Sequence, residues 1–227
     1  MEQTLSAVYG GQAVIEGVMM RGPRHMAVAV RDPDGDIVLL KRVLRSTYRE
    51  RLLRVAFVRG LVSLWDSLGI GIRSLSYSAD VANGDEVDFE GPMAWGPLLL
   101  SLGLGIGLFF LVPAAVGQIG ENWLRAPSWA GNLLEGLVRL MLVMGYIWAI
   151  GFLPDVKRLY GYHGAEHKTI NAFESGAELT PQSVALFPLE HPRCGTAFLL
   201  MLVIFSILVF SVLGPMPIQT RLISRLL

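Results

Sequence analysis

The sequence predicts a helical membrane protein, with about three transmembrane helices and a small N-terminal α+β domain, on three observations. Mean hydropathy is +0.49 over 227 residues, which points away from an ordinary soluble chain. Met93 to Val116 contain no charged residue, a run long enough for a hydrocarbon core of about 30 Å at ~1.5 Å per residue. Ahead of that run, β-branched and aliphatic stretches are punctuated by glycine and aspartate, the pattern of short strands. Nineteen basic residues balance nineteen acidic ones, so net charge suggests no nucleic-acid partner. The single cysteine excludes an internal disulfide. The first residues, MEQTLSAVYGGQ, lack the basic and apolar regions of a cleaved signal peptide.

Taken in order, residues 1–59 form a small β-rich domain plus a basic segment, 60–92 an interfacial helix and acidic link, and 93–227 the membrane region with a His-rich insertion at 154–194. Gly10 to Leu40 reads as a sheet: GGQAVIEGVMMRG, then HMAVAVRDPDGD, then IVLLKRV. Asp34-Gly35 suits a hairpin between the last two. Glu16 and Arg21 fall in the first strand region, where alternation with Val14, Ile15 and Val18 reads as the wet face of a strand. Residues 41–59 are dense in arginine with one acid, Glu50. Two readings stay open for them: a basic amphipathic helix on anionic lipid, or a solvated helix on the small domain. Leu61 to Tyr77 is apolar but holds Asp66, Arg73 and two glycines, the composition of an interfacial or re-entrant helix. Asn83 to Gly91 carries four acids and reads as an exposed link.

The spans are expected at Met93 to Val116, Leu133 to Leu153 and Gly195 to Leu213. Pro113 should kink only the last turn of the first, leaving Gly117 to Ala130 as a turn outside the membrane. Glu135 and Arg139, one turn apart, should pair in the first turns of the second. Eleven basic residues precede the first span, only Arg125 separates the first two, and Lys157, Arg158, Lys168 and Arg193 precede the third. That bias places the N-terminal domain and residues 154–194 on the cytoplasmic side of the inner membrane. The final IQTRLISRLL stops without a polar tail, which predicts a chain cut short.

The chemistry concentrates in YGYHGAEHKTINAFE, residues 160–174. On a helix, His163, Glu166, His167, Ile170, Asn171 and Glu174 share one stripe. His-x-x-Glu-His is the inverted zincin pattern, two imidazoles on one metal with a glutamate as general base. HPRC adds His191 and Cys194, so three of four histidines and the only cysteine lie within 32 residues. His163, His167, His191 and Cys194 are therefore expected to bind zinc or another divalent transition metal. Four ligands would close a structural site. Three would leave room for water, with Glu166 or Glu174 to take its proton. Cys194 has an alternative as a nucleophile, since Arg193 and a helix N-terminus favour its thiolate. Against all of this stands the bland pattern: histidines one turn apart on a polar helix are often surface residues, and a cysteine opening a span is often only small and apolar.

GGQAVIEGVMMRGP at 10–23, VRGLVSLWDSL at 58–68, YHGAEHKTINAFE at 162–174 and HPRCGTAF at 191–198 together resemble the YqhQ family, bacterial membrane proteins defined by a domain of unknown function. The resemblance spans essentially the whole chain. It implies a multi-pass membrane protein labelled a predicted metal-dependent enzyme, and singles out Glu16, Arg21, His163, Glu166, His167, Glu174, His191 and Cys194. Similar proteins continue past this C-terminus with further apolar sequence. Two functions are expected to compete: a metal-dependent hydrolase at the cytoplasmic membrane surface, or a non-catalytic membrane factor whose histidines form a structural clip. The second would use the bilayer together with a membrane-protein partner, such as translocation or biogenesis machinery, or a second copy. A transporter is less well supported, because one charge pair is all the spans contain.

Overall fold

A computed structural model describes residues 9–44, 55–85, 95–123, 125, 127–212 and 220. The chain divides into two compact units, Met1–Met93 with Leu153–His191, and Ala94–Phe152 with Pro192–Leu227. Most of the basic run (45–54), most of the acidic link (86–94) and the C-terminal stretch apart from residue 220 lie outside the described residues.

In the first unit, β1 (Gly10–Val14), β2 (Gly17–Arg21), β3 (His25–Arg31) and β4 (Ile37–Val43) form an antiparallel sheet in chain order. Val14 pairs with Gly17, so the expected first strand is two strands joined at Ile15-Glu16. Glu16 therefore does not sit on a wet strand face. It is the second turn residue, at φ 52°, a conformation that costs a side-chain-bearing residue roughly 1–2 kcal/mol. Its carboxylate accepts the Nε and Nη2 hydrogens of Arg158 and, at 3.2 Å, the hydroxyl of Tyr162. The hairpin between β3 and β4 forms as expected, with Gly35 at φ 94° and Asp32 Oδ1 accepting the Asp36 amide at 2.8 Å.

Strand alternation sends Val14, Met19, Met26, Val28 and Val30 to one face, where they pack with Ile70, Tyr77 and Val81 of α1 (Ala56–Asn83). This is the unit's core. The apolar stretch read as a short interfacial helix is thus the middle of a 28-residue helix ending at Gly84, φ 78°. The basic run is not one helix either, since Lys41 and Arg42 belong to β4 and α1 begins only at Ala56. Residues of opposite parity meet α5 (Pro154–Glu174). A Cβ on Gly11 of β1 would lie 2.5 Å from Glu166 Cγ, and Tyr9 meets Phe173 edge-on at 4.8 Å. The sheet is therefore the middle layer between α1 and α5. A short α6 (Pro181–Val184) follows, capped by the Thr180 hydroxyl.

In the second unit, α2 (Trp95–Ile106) passes through a π-helical turn, Gly107–Leu111, into α3 (Val112–Trp123). Pro113 is the second residue of α3 and not part of a last turn, and the described residues of the expected turn at 117–130 fall mostly in α3 and α4. Proline cannot donate to the carbonyl four residues back, here that of Phe109, and Arg139 Nε donates to it instead at 3.1 Å. The helix therefore continues through the proline. α4 (Ser128–Ile150) starts five residues earlier than expected, so Glu135 and Arg139 pair at 2.9 Å deeper in the helix than its first turn. Small residues let the helices approach: a Cβ on Gly117 would lie 2.8 Å from Gly131 O, and one on Gly136 2.6 Å from Ile207 of α7 (Gly195–Ser211).

Two helices, Leu99–Trp123 and Ser128–Ile150, are long and apolar enough to cross a membrane. The third expected span, α7, is apolar but shorter at 17 residues.

Candidate metal centre

α5 opens with proline at its first position and closes at Ser175 with Gly176 at φ 70° beyond it, so sequence punctuation places both ends. Within it the expected stripe forms. Glu166 and His167 are buried on the sheet side, at 4% and 7% exposure, while His163 is half-buried. The absence of a side chain at Gly11 makes room for the Glu166 carboxylate against β1.

Around that carboxylate the imidazoles gather. Glu166 Oε2 lies 3.4 Å from His163 Nδ1 and 3.8 Å from His167 Nε2. The rings of His163 and His167 stand 4.3 Å apart, and those of His167 and His191 5.6 Å. His191 is itself buried, with Nε2 3.8 Å from Glu174 Oε2. The structure thus brings together His163, Glu166, His167, His191 and Glu174 within the first unit. Cys194 is the N-cap residue of α7, in the second unit, three residues beyond His191 in sequence.

His167 Nδ1 lies 2.6 Å from the Leu189 carbonyl oxygen. A carbonyl only accepts, so Nδ1 carries the hydrogen, and in the neutral ring Nε2 is left with its lone pair facing Glu166. This is how a metal-binding imidazole is commonly held. Burial pushes the Glu166 carboxyl up from its ordinary value, an effect partly offset by His167. Burial, and then the nearby His167, push His163 down. Both shifts favour the uncharged side chain. Two imidazoles sharing one ion at ~2 Å place their rings roughly 5 Å apart, so the observed spacings fit a nitrogen-rich cation site.

Several residues that shape the site escaped sequence reasoning. Lys168 Nζ donates to Ala185 O at 2.6 Å, and Asn171 Nδ2 to Pro188 O and Glu190 O, both at 3.0 Å. With His167 they strap residues 185–190 along α5 and so deliver His191. Their pairing with carbonyls more than fifteen residues away leaves no sequence signal, although the polar stripe position of Asn171 was visible. Arg21, singled out by resemblance, is not in this cluster. It binds Asp66 at 2.5 Å and Ser67 at 3.1 Å on α1.

The chain is 30% identical over 233 residues to the uncharacterized protein YqhQ of Bacillus subtilis (strain 168), an alignment covering 96% of this chain and 73% of that protein. No solved structure matches. Residues 55–227, which contain α1, both apolar hairpin helices and every histidine of the cluster, match the family described as protein of unknown function (DUF1385), and the chain belongs to that family.

Proposed function

We propose that the histidine cluster binds a divalent transition metal, zinc by its donor set, and that the chain is a metal-dependent hydrolase at the cytoplasmic face of the inner membrane. His163, His167 and His191 would be the nitrogen ligands, and Cys194, three residues after His191, a sulfur ligand. The observation that carries this reading is the hydrogen bond from His167 Nδ1 to Leu189 O. It leaves the Nε2 lone pair of His167 3.8 Å from the buried Glu166 carboxyl, in the tautomer by which an imidazole ligates a metal.

A bound zinc supplies Lewis acidity and a water of lowered pKa. The chain's own residues then divide the work. Glu166, whose carboxyl burial raises from its ordinary value, would be the base that takes a proton from the water and returns it to a leaving group. Glu174, whose side chain is 40% exposed beside His191, stands at the accessible side as a second carboxylate. The Leu189 carbonyl holds the His167 ring in place. The basic residues flanking the apolar helices support the cytoplasmic orientation, and α7 serves as a third, short span.

One observation favours a second reading. Lys168, Asn171 and His167 tie residues 185–190 to α5, which suits a structural clip in a non-catalytic membrane factor that works through a partner protein or a second copy. Metal analysis of the detergent-purified chain decides the first step. About one equivalent of zinc, lost in His163→Ala and His167→Ala, is expected, and absence of any stoichiometric transition metal overturns both metal readings. Cobalt substitution separates them. A catalytic site changes its visible absorption when a small anionic inhibitor binds, whereas a clip does not.

A further inference from the structure

We propose that the first turns of α1, Val58 to Leu68, are seated in the headgroup region of an anionic lipid bilayer. The contacts of α1 with the sheet start at Asp66 and Ser67, which hold Arg21, and continue through Ile70, Tyr77 and Val81. At 3.6 residues per turn these positions share one side of the helix. Leu61, Leu64, Trp65 and Leu68 recur at i, i+3, i+4 and i+7 on the opposite side. They are 55%, 67%, 70% and 54% exposed, and with Val62 they line an apolar depression of about 360 Å³. α1 is therefore apolar on both sides, with one side covered by the sheet and the other by nothing in this chain's described residues.

The occupant follows from charge and composition. Arg59 is exposed on the same turns, and residues 41–54 just before them add six lysines and arginines against the single acid Glu50. A basic stretch of sequence leading into a leucine and tryptophan stripe matches an anionic headgroup layer over acyl chains, and tryptophan favours that depth. The chain also carries two helices of membrane-crossing length, the first starting at Leu99, soon after α1 ends at Asn83. Arg21 acts here as a positioning residue: by binding Asp66 and Ser67 it fixes the rotation of the helix and hence the side on which Trp65 emerges.

This proposal rests on the membrane reading of the second unit, and resistance of the reconstituted chain to alkaline extraction tests that reading separately. The test uses the full chain in phosphatidylglycerol/phosphatidylcholine vesicles with a nitroxide on Leu64→Cys or on Ser63→Cys, each read as a difference from the parent, whose Cys194 takes the same label. The Leu64 label should collide with oxygen, relative to a water-soluble nickel chelate, several-fold more often than the Ser63 label. Equal ratios overturn the proposal. So does spin–spin broadening at Leu64, which would identify a second copy as the occupant. An unchanged ratio in vesicles of phosphatidylcholine alone overturns the anionic-lipid assignment. As an independent readout, brominated phosphatidylglycerol should quench the parent more than Trp65→Phe, and equal quenching counts against seating.

Discussion

Glu135 and Glu166 are both nearly sealed from solvent, at 1% and 4% exposure, yet their surroundings are opposite in kind. Glu135 has its own cation one turn along the helix. Arg139 spends its donors on Glu135 and on the Phe109 carbonyl, and its guanidinium lies 5.2 Å from the Phe110 ring centre. Glu166 instead faces imidazole nitrogens, one of them held as a lone pair by Leu189. Two cations of α5 are committed elsewhere, Lys168 to Ala185 O and Arg158 to Glu16. A buried acid supplied with a cation by its own helix is a latch. On the proposal above, a buried acid among imidazoles would be the receptor for a positive charge from outside.

The comparison can be broken most forcefully at the latch. Arg139→Met leaves Glu135 buried without its partner and should cost about 3–5 kcal/mol, read as a fall in the thermal midpoint of the detergent-solubilised chain. The double variant Glu135→Leu/Arg139→Met should recover most of that loss, because apolar replacement of a buried pair is close to neutral. If the double variant is as unstable as the single, the pair is not what holds the hairpin. Next in size is Gly11→Val, whose side chain must displace Glu166. Metal affinity, measured by competition with a chelating dye, should fall about 10–100-fold, as for loss of other groups that orient ligands. Gly10→Val, where a Cβ meets nothing within 4 Å, serves as its control.

A subtler change sharpens the contrast between the two acids. Burial raises the Glu166 carboxyl, so its ionised form opposes folding at neutral pH when no cation is present. Glu166→Gln should therefore stabilise the metal-free protein by on the order of 1 kcal/mol, whereas Glu135→Gln should destabilise it. A loss of stability in both would show that Glu166, too, has its charge compensated. The smallest effect is expected at Glu16. Arg158 holds its carboxyl below the usual 4.5 through hydrogen bonding, with burial opposing, so the stabilisation is complete above about pH 4.5 and is lost as pH falls through the lowered value. With Arg158 largely exposed, solvent screens the pair, and Glu16→Gln should only slightly flatten the acid limb of the stability curve.

The sheet and the histidine stripe were legible because each follows local rules. Asp34-Gly35 marks the β3–β4 hairpin, and Pro154-Asp155 and Gly176 bracket the His-x-x-Glu-His spacing, although the N-cap is Leu153 and not the aspartate that the sequence suggests. The turn at Ile15-Glu16 was not legible, since it places glutamate where glycine or asparagine is usual and holds it there through Arg158, 142 residues away in sequence. Pro113 misled for the same reason. Its local meaning is a helix end, and the group that overrides it, Arg139, lies on another helix. In the candidate site the ligand types were visible, but the Leu189 carbonyl and the Gly11 gap that orient them were not, because backbone acceptors and missing side chains carry no motif.

The first unit is written in two instalments, its sheet and α1 before the apolar hairpin and α5 after it. At about 5–20 residues per second, the ribosome needs roughly 3–12 s to traverse Ala94–Phe152, during which β1 and β2 lack the helix that covers them. Completion of the domain thus waits until the whole apolar hairpin has been made, and the histidines of α5 meet the sheet only after it.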